Sequence, residues 1–289
     1  PIVVKADGLA AGKGVFIMNN YEETCELIND LFDGKIDGIK TSLIIIEEFL
    51  KGEEASFICL VSGDQIIPLA SSKDHKKLSN GDLGPNTGGM GAYSPTKLID
   101  SKTTNMVIDK IIYPTLNELK KIGIEYKGFL YAGLMIDEYK NPFVLEYNCR
   151  LGDPEAQAIL MRLESDIVDM FLGVVNDNLD NIDIKWKNES ACTVVLASKG
   201  YPGKYEKEKR IEGLDHKVND TKIFHSGTKT NDGFLVTNGG RVLSVTALGV
   251  NLQVAQAKAY DRCNQISWEG KIKRHDIGEK EITNKFIFS

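Results

Sequence analysis

Residues 3–15 read VVKADGLAAGKGV: an apolar run, a glycine-rich turn and a lysine. Such a stretch invites comparison with a phosphate-binding loop. The Walker A pattern G-x-x-x-x-G-K-[ST] fails at both ends. Counting back from Gly12-Lys13 puts Asp7 where the first glycine belongs, and Gly14 stands in place of the magnesium-facing hydroxyl. The dinucleotide pattern G-x-G-x-x-G fails too, because a second apolar run, GVFIM (14–18), follows the turn where a helix should begin. Two apolar runs about a glycine-loosened tip predict a β-hairpin. Its backbone N–H groups can fold over phosphates, or the tip is a plain surface turn.

Around this hairpin the chain has 289 residues, 42% hydrophobic and 26% charged, the balance of a folded protein of roughly two or three domains. A formal net charge of -6 excludes nucleic acid as an expected partner, since phosphate-backbone binding needs clustered Lys and Arg. No run approaches the roughly 18 apolar residues of a membrane helix, so no membrane partner is expected. The five cysteines (25, 59, 149, 192, 263) have no metal-site spacing and are odd in number, which points to a reducing, cytoplasmic setting. The opening PIVV reads as a strand already under way. The expectation is therefore a chain that starts part-way into its fold, with an N-terminal region missing.

Downstream, NNYEETCELINDLFDG (19–34) predicts an Asn-capped helix and TSLIIIEEFL (41–50) a strand. SFICLVSGDQIIPLA (56–70) predicts a hairpin about Gly63 and Asp64. The polar, Gly- and Pro-rich stretch 71–95 is long for a loop without a binding role. Pro114 predicts a bent or split helix in 105–123, and 128–137 with 142–148 a strand pair. Residues 153–177 read as helical, with an acidic, Pro-bearing start. A third unit opens at ACTVVLAS (191–198), places a hairpin at TNGGR (237–241) and closes on a helix at 251–266.

VLEYNCRLGDPE (144–155) is the second stretch that carries chemistry. Glu146 and Asn148 lie two apart on a predicted strand and so share a face. A carboxylate beside an amide oxygen suits Mg2+ (or Mn2+), which also holds phosphates; the alternative is a solvated sheet face. Arg150, Asp153 and Glu155 crowd the same strand end.

Two longer blocks, PNTGGMGAYSP (85–95) and NCRLGDPEAQ (148–157), together with DHKK (74–77) and the opening stretch, resemble the phosphoribosylamine–glycine ligase family. The similarity runs over essentially the whole chain. It implies an α+β fold of the ATP-grasp type: a lid at 1–65, a central catalytic half at 66–188, and a C-terminal mixed α/β domain at 189–289. It also implies an N-terminal α/β domain absent from this chain, and possible fusion to later purine-pathway domains. The implied reaction joins glycine to 5-phosphoribosylamine through glycyl phosphate, with ATP as phosphoryl donor.

The resemblance also assigns residues. Lys5, Gly8, Gly12, Lys13 and Gly14 would meet the ATP phosphates; Glu47, Phe49 and Leu50 the adenine; Glu54 the ribose. Asp74, His75 and Lys76, with Asn86, Thr87, Gly88, Gly89, Met90 and Gly91, would cradle phosphoribosylamine. Arg150 would face the transferred phosphate or the phosphorylated substrate, and Asp153, Pro154 and Glu155 the amine substrates. Glu146 and Asn148 would be the metal ligands. The broader superfamily often adds a carboxylate on the preceding strand, but YAGLMID (131–137) offers none before Asp137. Arg241, in the predicted turn, reads as a hairpin tip with a possible substrate contact.

Overall fold

The structure is a computed structural model that describes residues 1–8, 14–36, 39 and 41–286. Strands β1 (Ile2–Ala6), β2 (Val15–Met18) and β3 (Ile44–Glu48) form an antiparallel sheet in the order β2-β1-β3. Helix α1 (Tyr21–Phe32) starts where the Asn20 side chain accepts the Glu23 N–H at 2.8 Å, the cap expected of Asn before an acidic first turn. Strand alternation gives this sheet two unlike faces. Val4, Phe16, Met18 and Ile44 pack with Leu27 and Leu31 of α1, leaving Val3, Lys5, Val15 and Ile17 on the other side.

The chain then turns at Gly52, where a Cβ would lie 2.2 Å from the carbonyl oxygen of Ile136, so only glycine fits. Strands β4 (Glu53–Ser62) and β5 (Gln65–Pro68) form the expected hairpin. They join β10 (Lys127–Ile136) and β11 (Pro142–Asn148) in a sheet ordered β11-β10-β4-β5. By sheet membership the first unit therefore ends in the segment 49–52, ahead of β4. One face of this sheet packs on α2 (Ser101–Val107) and α3 (Tyr113–Lys121), the other on α4 (Glu155–Arg162) and α5 (Ile167–Val175). The helix expected over 105–123 is split by a π-helical turn, Ile108–Ile112, just before Pro114. That expected over 153–177 breaks between Arg162 and Ile167, where Asp166 recaps the chain by accepting the Val168 N–H.

The polar stretch 71–95 is more ordered than a loop. It holds β6 (Lys73–Asp74), β7 (Lys77–Ser79), β8 (Leu83–Asn86) and β9 (Gly91–Ser94). Strands β6 and β9 enter the largest sheet, ordered β13-β16-β12-β9-β6, with β12 (Ser190–Ser198), β13 (Thr221–His225) and β16 (Arg241–Gly249). Helix α6 (Leu252–Asn264) covers this sheet through Leu252, Ala255, Ala259 and Cys263. The hairpin expected at 237–241 is not there. The hairpin is instead β14 (Thr228–Asn231) with β15 (Phe234–Thr237), turning at Asp232-Gly233, where both residues have positive φ. It projects between β13 and β16, which pair with each other. Gly227 and Gly239 approach within 2.8 Å of each other's would-be Cβ, so these two glycines let the chain pass close to itself on either side of the hairpin.

After α6 the chain adds β17 (Lys271–Ile272) and α7 (Glu279–Thr283). Buried Arg274 donates to Asp276, Asp82 and the Lys77 carbonyl. Buried Glu281 accepts from the Tyr93 and Thr96 hydroxyls and the Lys97 N–H. This segment straps the 71–97 region in place. Among the described residues no helix is long and apolar enough to cross a membrane.

Candidate active site

A cavity of about 300 Å³ lies between the three-stranded and four-stranded sheets. Its wall draws on Val3, Lys5, Val15, Ile17, Glu47 and Glu48 of the first sheet and the connecting residues Phe49 and Leu50. Tyr131, Met135, Leu145, Glu146 and Asn148 of β10 and β11 supply the facing wall. The apolar lining matters: it offers a flat, dry surface beside a charged one, as a purine next to a polyphosphate requires.

The charged side is organised around oxygen atoms. The Lys5 ammonium is 2.6 Å from Glu47 Oε2 and donates to the Leu145 carbonyl at 3.0 Å. Lys76 Nζ sits 3.4 Å from Glu54 Oε2 and 3.7 Å from Glu146 Oε1. Burial opposes the Lys76 charge, but Glu54 and Glu146 more than offset it and hold its pKa above the ordinary lysine value. Glu146 stands opposite Gly133 of β10, where a Cβ would meet the Glu146 side chain at 3.2 Å, so the small partner makes its room.

Glu155, the first residue of α4, is 2% exposed and accepts hydrogen bonds from Ser56 Oγ and Tyr131 OH, both at 2.9 Å. Asp74 Oδ1 is buried and has no hydrogen-bond partner. Burial first, then the neighbouring Glu155 and Glu54, push the Asp74 carboxyl well above the usual carboxylate range. A buried acceptor without a donor is costly in isolation, so its position on the cavity wall marks a place for a ligand N–H.

Of the sequence-assigned residues, Lys5, Glu47, Phe49, Leu50, Glu54, Asp74, Lys76, Asn86, Thr87, Gly88, Glu146, Asn148, Arg150, Asp153 and Glu155 all line this one cavity. Gly8 and Gly14 are not among its lining residues; Gly14 accepts the Ala6 N–H at 2.8 Å at the base of the hairpin. Gly12 and Lys13 lie outside the described residues.

His75 needs correcting as a substrate contact. Its side chain alternates away from Asp74 and Lys76 and is buried against Tyr93, with Nε2 accepting the Gly278 N–H at 3.3 Å. Gly89, Met90, Gly91 and Pro154 are likewise not among the lining residues. Met90 is fully buried, a Cβ at Gly91 would strike the Thr193 carbonyl at 2.6 Å, and one at Gly89 would strike Pro154 at 2.5 Å. These four pack the loop onto its supports.

Reading from the sequence missed Ser56 and Tyr131, although a tyrosine inside the apolar run of β10 was a visible signal of a buried hydroxyl needing a partner. It also undervalued Arg241. This residue donates to the carbonyls of Gly88 and Asp153 and pairs with the Asp153 carboxylate at 2.8 Å.

Glu146 and Asn148 fit a hard divalent cation as a partial site. Asn148 Nδ2 lies 3.4 Å from Glu146 Oε1, so the two side chains converge on one place. Among the described residues no group of three or more His, Cys, Asp or Glu gathers about a metal position. Two protein oxygens with the balance from phosphate and water is the pattern of Mg2+ held through a nucleotide.

Comparison with known proteins accounts for this arrangement. The model of the phosphoribosylglycinamide synthetase ATP-grasp (A) domain matches residues 1–156, and that of the C domain of the same synthetase matches 191–280. The chain belongs to the phosphoribosylamine–glycine ligase family. It is 49% identical over 286 residues to the phosphoribosylamine–glycine ligase of Vibrio parahaemolyticus, covering 99% of this chain and 67% of that protein. It is 48% identical to the enzyme of Pseudomonas aeruginosa over the same spans. The crystal structure of phosphoribosylamine–glycine ligase from Thermotoga maritima superposes with a TM-score of 0.86 at 40% identity, over 96% of this chain and 68% of that one. A biotin carboxylase domain from Hydrogenobacter thermophilus, solved with MgADP and bicarbonate, shares the fold at a TM-score of 0.69 and 16% identity, over 94% of this chain and 58% of that one.

The chain thus spans about two thirds of the length of its curated ligase relatives. The expectation of a chain that starts part-way into its fold, lacking an N-terminal unit as a partner, is corrected for the ATP-grasp unit itself, whose first strand is present with its neighbours. The ATP-grasp domain match begins at residue 1, and β1 already has both neighbours, β2 and β3, as the middle strand of its sheet.

Proposed function

We propose that the chain is an ATP-dependent carbon–nitrogen ligase that joins glycine to 5-phosphoribosylamine, giving glycinamide ribonucleotide, ADP and phosphate in purine biosynthesis. A carboxylate oxygen of glycine attacks the γ-phosphorus of ATP and ADP departs. The ribosylamine nitrogen then attacks the carbonyl of the resulting glycyl phosphate, and phosphate leaves. The observation that carries this reading is the single cavity that brings the Lys5 and Glu47–Leu50 surfaces together with Asp74, Glu146, Arg150, Asp153 and Glu155.

In this reading Val3, Val15, Ile17 and Leu50 sandwich the purine, Glu54 takes the ribose hydroxyls, and Lys5 neutralises phosphate charge. Glu146 and Asn148 would hold Mg2+ or Mn2+, which when bound withdraws charge from the phosphoryl oxygens. Arg150 faces the transferred phosphoryl group. Asp74, with its unpartnered oxygen, and Asp153 receive the amine N–H groups. The sheet that carries Lys5 closes over the cavity and shields the acyl phosphate from water. A cytoplasmic setting belongs to the same reading, supported by five cysteines that are all free thiols.

Phosphate release measured with ATP and Mg2+ tests it. Release should require glycine and phosphoribosylamine together and yield glycinamide ribonucleotide by mass. Equal release with another carboxylate or another amine would sink the substrate assignment.

A further inference from the structure

Two side chains of the C-terminal unit grip one residue of the cavity wall, through the peptide groups on either side of it. Tyr201 OH accepts the Gly88 N–H at 2.9 Å, while Arg241 Nη1 donates to the Gly88 carbonyl at 2.7 Å. The same guanidinium continues to Asp153, with Nη1 2.6 Å from the backbone oxygen and Nη2 2.8 Å from Oδ2. Gly88 and Asp153 line the cavity; Tyr201 and Arg241 are not among its lining residues. A Cβ on Gly88 would lie 2.9 Å from Arg241 Cζ, so the glycine is what lets the guanidinium rest against the wall. Tyr201 in turn abuts Gly240, next to Arg241, where a Cβ would meet its ring at 2.3 Å. A planar guanidinium held by four oxygens, those of the Gly88, Gly89 and Asp153 carbonyls and Asp153 Oδ2, has a fixed orientation that a lysine point charge cannot reproduce.

We propose that Arg241 and Tyr201 are positioning residues for the amine substrates. They lock the Gly88 backbone and the Asp153 carboxylate into one relative placement, so that the C-terminal unit sets the affinity for phosphoribosylamine and glycine. The hydrogen bonds of Arg241 go to Gly88, Gly89 and Asp153, and the nucleotide-facing residues 47–54 belong to other elements. ATP binding is therefore insulated from the clamp. This inference rests on the reaction proposed above.

The test is a kinetic comparison of Arg241→Lys, Arg241→Ala, Tyr201→Phe and Gly88→Ala in the whole chain, with KM determined separately for ATP, glycine and phosphoribosylamine. The expected result is a KM for at least one amine substrate raised about fivefold or more, with the KM for ATP changed by less than about twofold. Gly88→Ala should reproduce the change by displacing the guanidinium, and combined with Arg241→Ala it should add nothing, because both act through one contact. Should Arg241→Ala fail to fold, Arg241→Lys and Tyr201→Phe, which keep charge and ring, give the same readout. Unchanged amine KM values in folded variants, or a parallel rise in the KM for ATP, would overturn the proposal. Absence of turnover in the unsubstituted chain overturns the reaction itself, and this inference with it.

Discussion

The Lys5 ammonium lies 3.0 Å from the carbonyl oxygen of Leu145, a residue 140 positions further along the chain. This contact joins the sheet above the cavity directly to the sheet below it. Lys5 also pairs with Glu47 at 2.6 Å, so both its oxygen partners are ones that a phosphate can replace. Lys5→Met should weaken ATP binding about tenfold or more, the loss of one charge-assisted hydrogen bond. The melting temperature should barely move, since a partly exposed ion pair contributes little to stability. Titration calorimetry with ATP beside a thermal melt checks both. Unchanged affinity would take Lys5 out of the site.

Glu146→Gln keeps the shape of the side chain and removes its charge. The variant should fold as the parent does, because Glu146 is half-exposed and its nearest cation, Lys76, retains Glu54. Mn2+ affinity in the presence of ADP, read by electron paramagnetic resonance, should fall about tenfold or more. Retention of parent-like Mn2+ binding would exclude Glu146 as a ligand.

Asp74 gives a prediction with a definite sign. Its carboxyl pKa is raised in the folded state, by burial and then by Glu155 and Glu54. The folded protein therefore binds more protons than the unfolded chain above the ordinary aspartate pKa of about 4, and stability falls as pH rises through that range. Asp74→Asn removes this cost. The variant should melt a few degrees above the parent at pH 8, and the gap should narrow as pH drops toward about 4. Its turnover should fall, since an uncharged amide oxygen accepts the substrate amine more weakly than a carboxylate oxygen does. A stability gap independent of pH would show that Asp74 is charged without penalty.

How much of this was legible beforehand follows from where the information lies. Local signals were read correctly: the Asn20 cap, the Gly63-Asp64 hairpin, the split before Pro114, and the shared face of Glu146 and Asn148. What failed depends on partners distant in sequence. A TNGGR turn between alternating runs looks like a hairpin, but β16 pairs instead with β12, a long and almost wholly buried strand, and with the shorter β13. His75 sits between two cavity residues, and the single-residue alternation of the extended chain just after β6 sends it the other way. Arg241 lies 88 residues from Asp153, so nothing local could announce their ion pair.

His75 is buried among charged groups. Burial, then the charges of Arg274 and Lys73, lower its pKa to about 3, while Asp82 and Asp276 oppose the shift. The neutral ring accepts the Gly278 N–H and holds the C-terminal strap to the segment that follows β6. A histidine with a depressed folded pKa binds protons more readily when unfolded, at about 6.5. Its contribution is thus fully present above pH 6.5 and is lost as pH falls toward 3, with a slope of up to about 1.4 kcal/mol per pH unit. His75→Gln offers a side-chain oxygen to the same N–H but does not titrate. Urea unfolding between pH 7 and 4.5 should show a shallower loss of stability in His75→Gln than in the parent. Equal slopes in the two proteins would mean that another group governs acid unfolding and that His75 does not carry the strap's pH sensitivity.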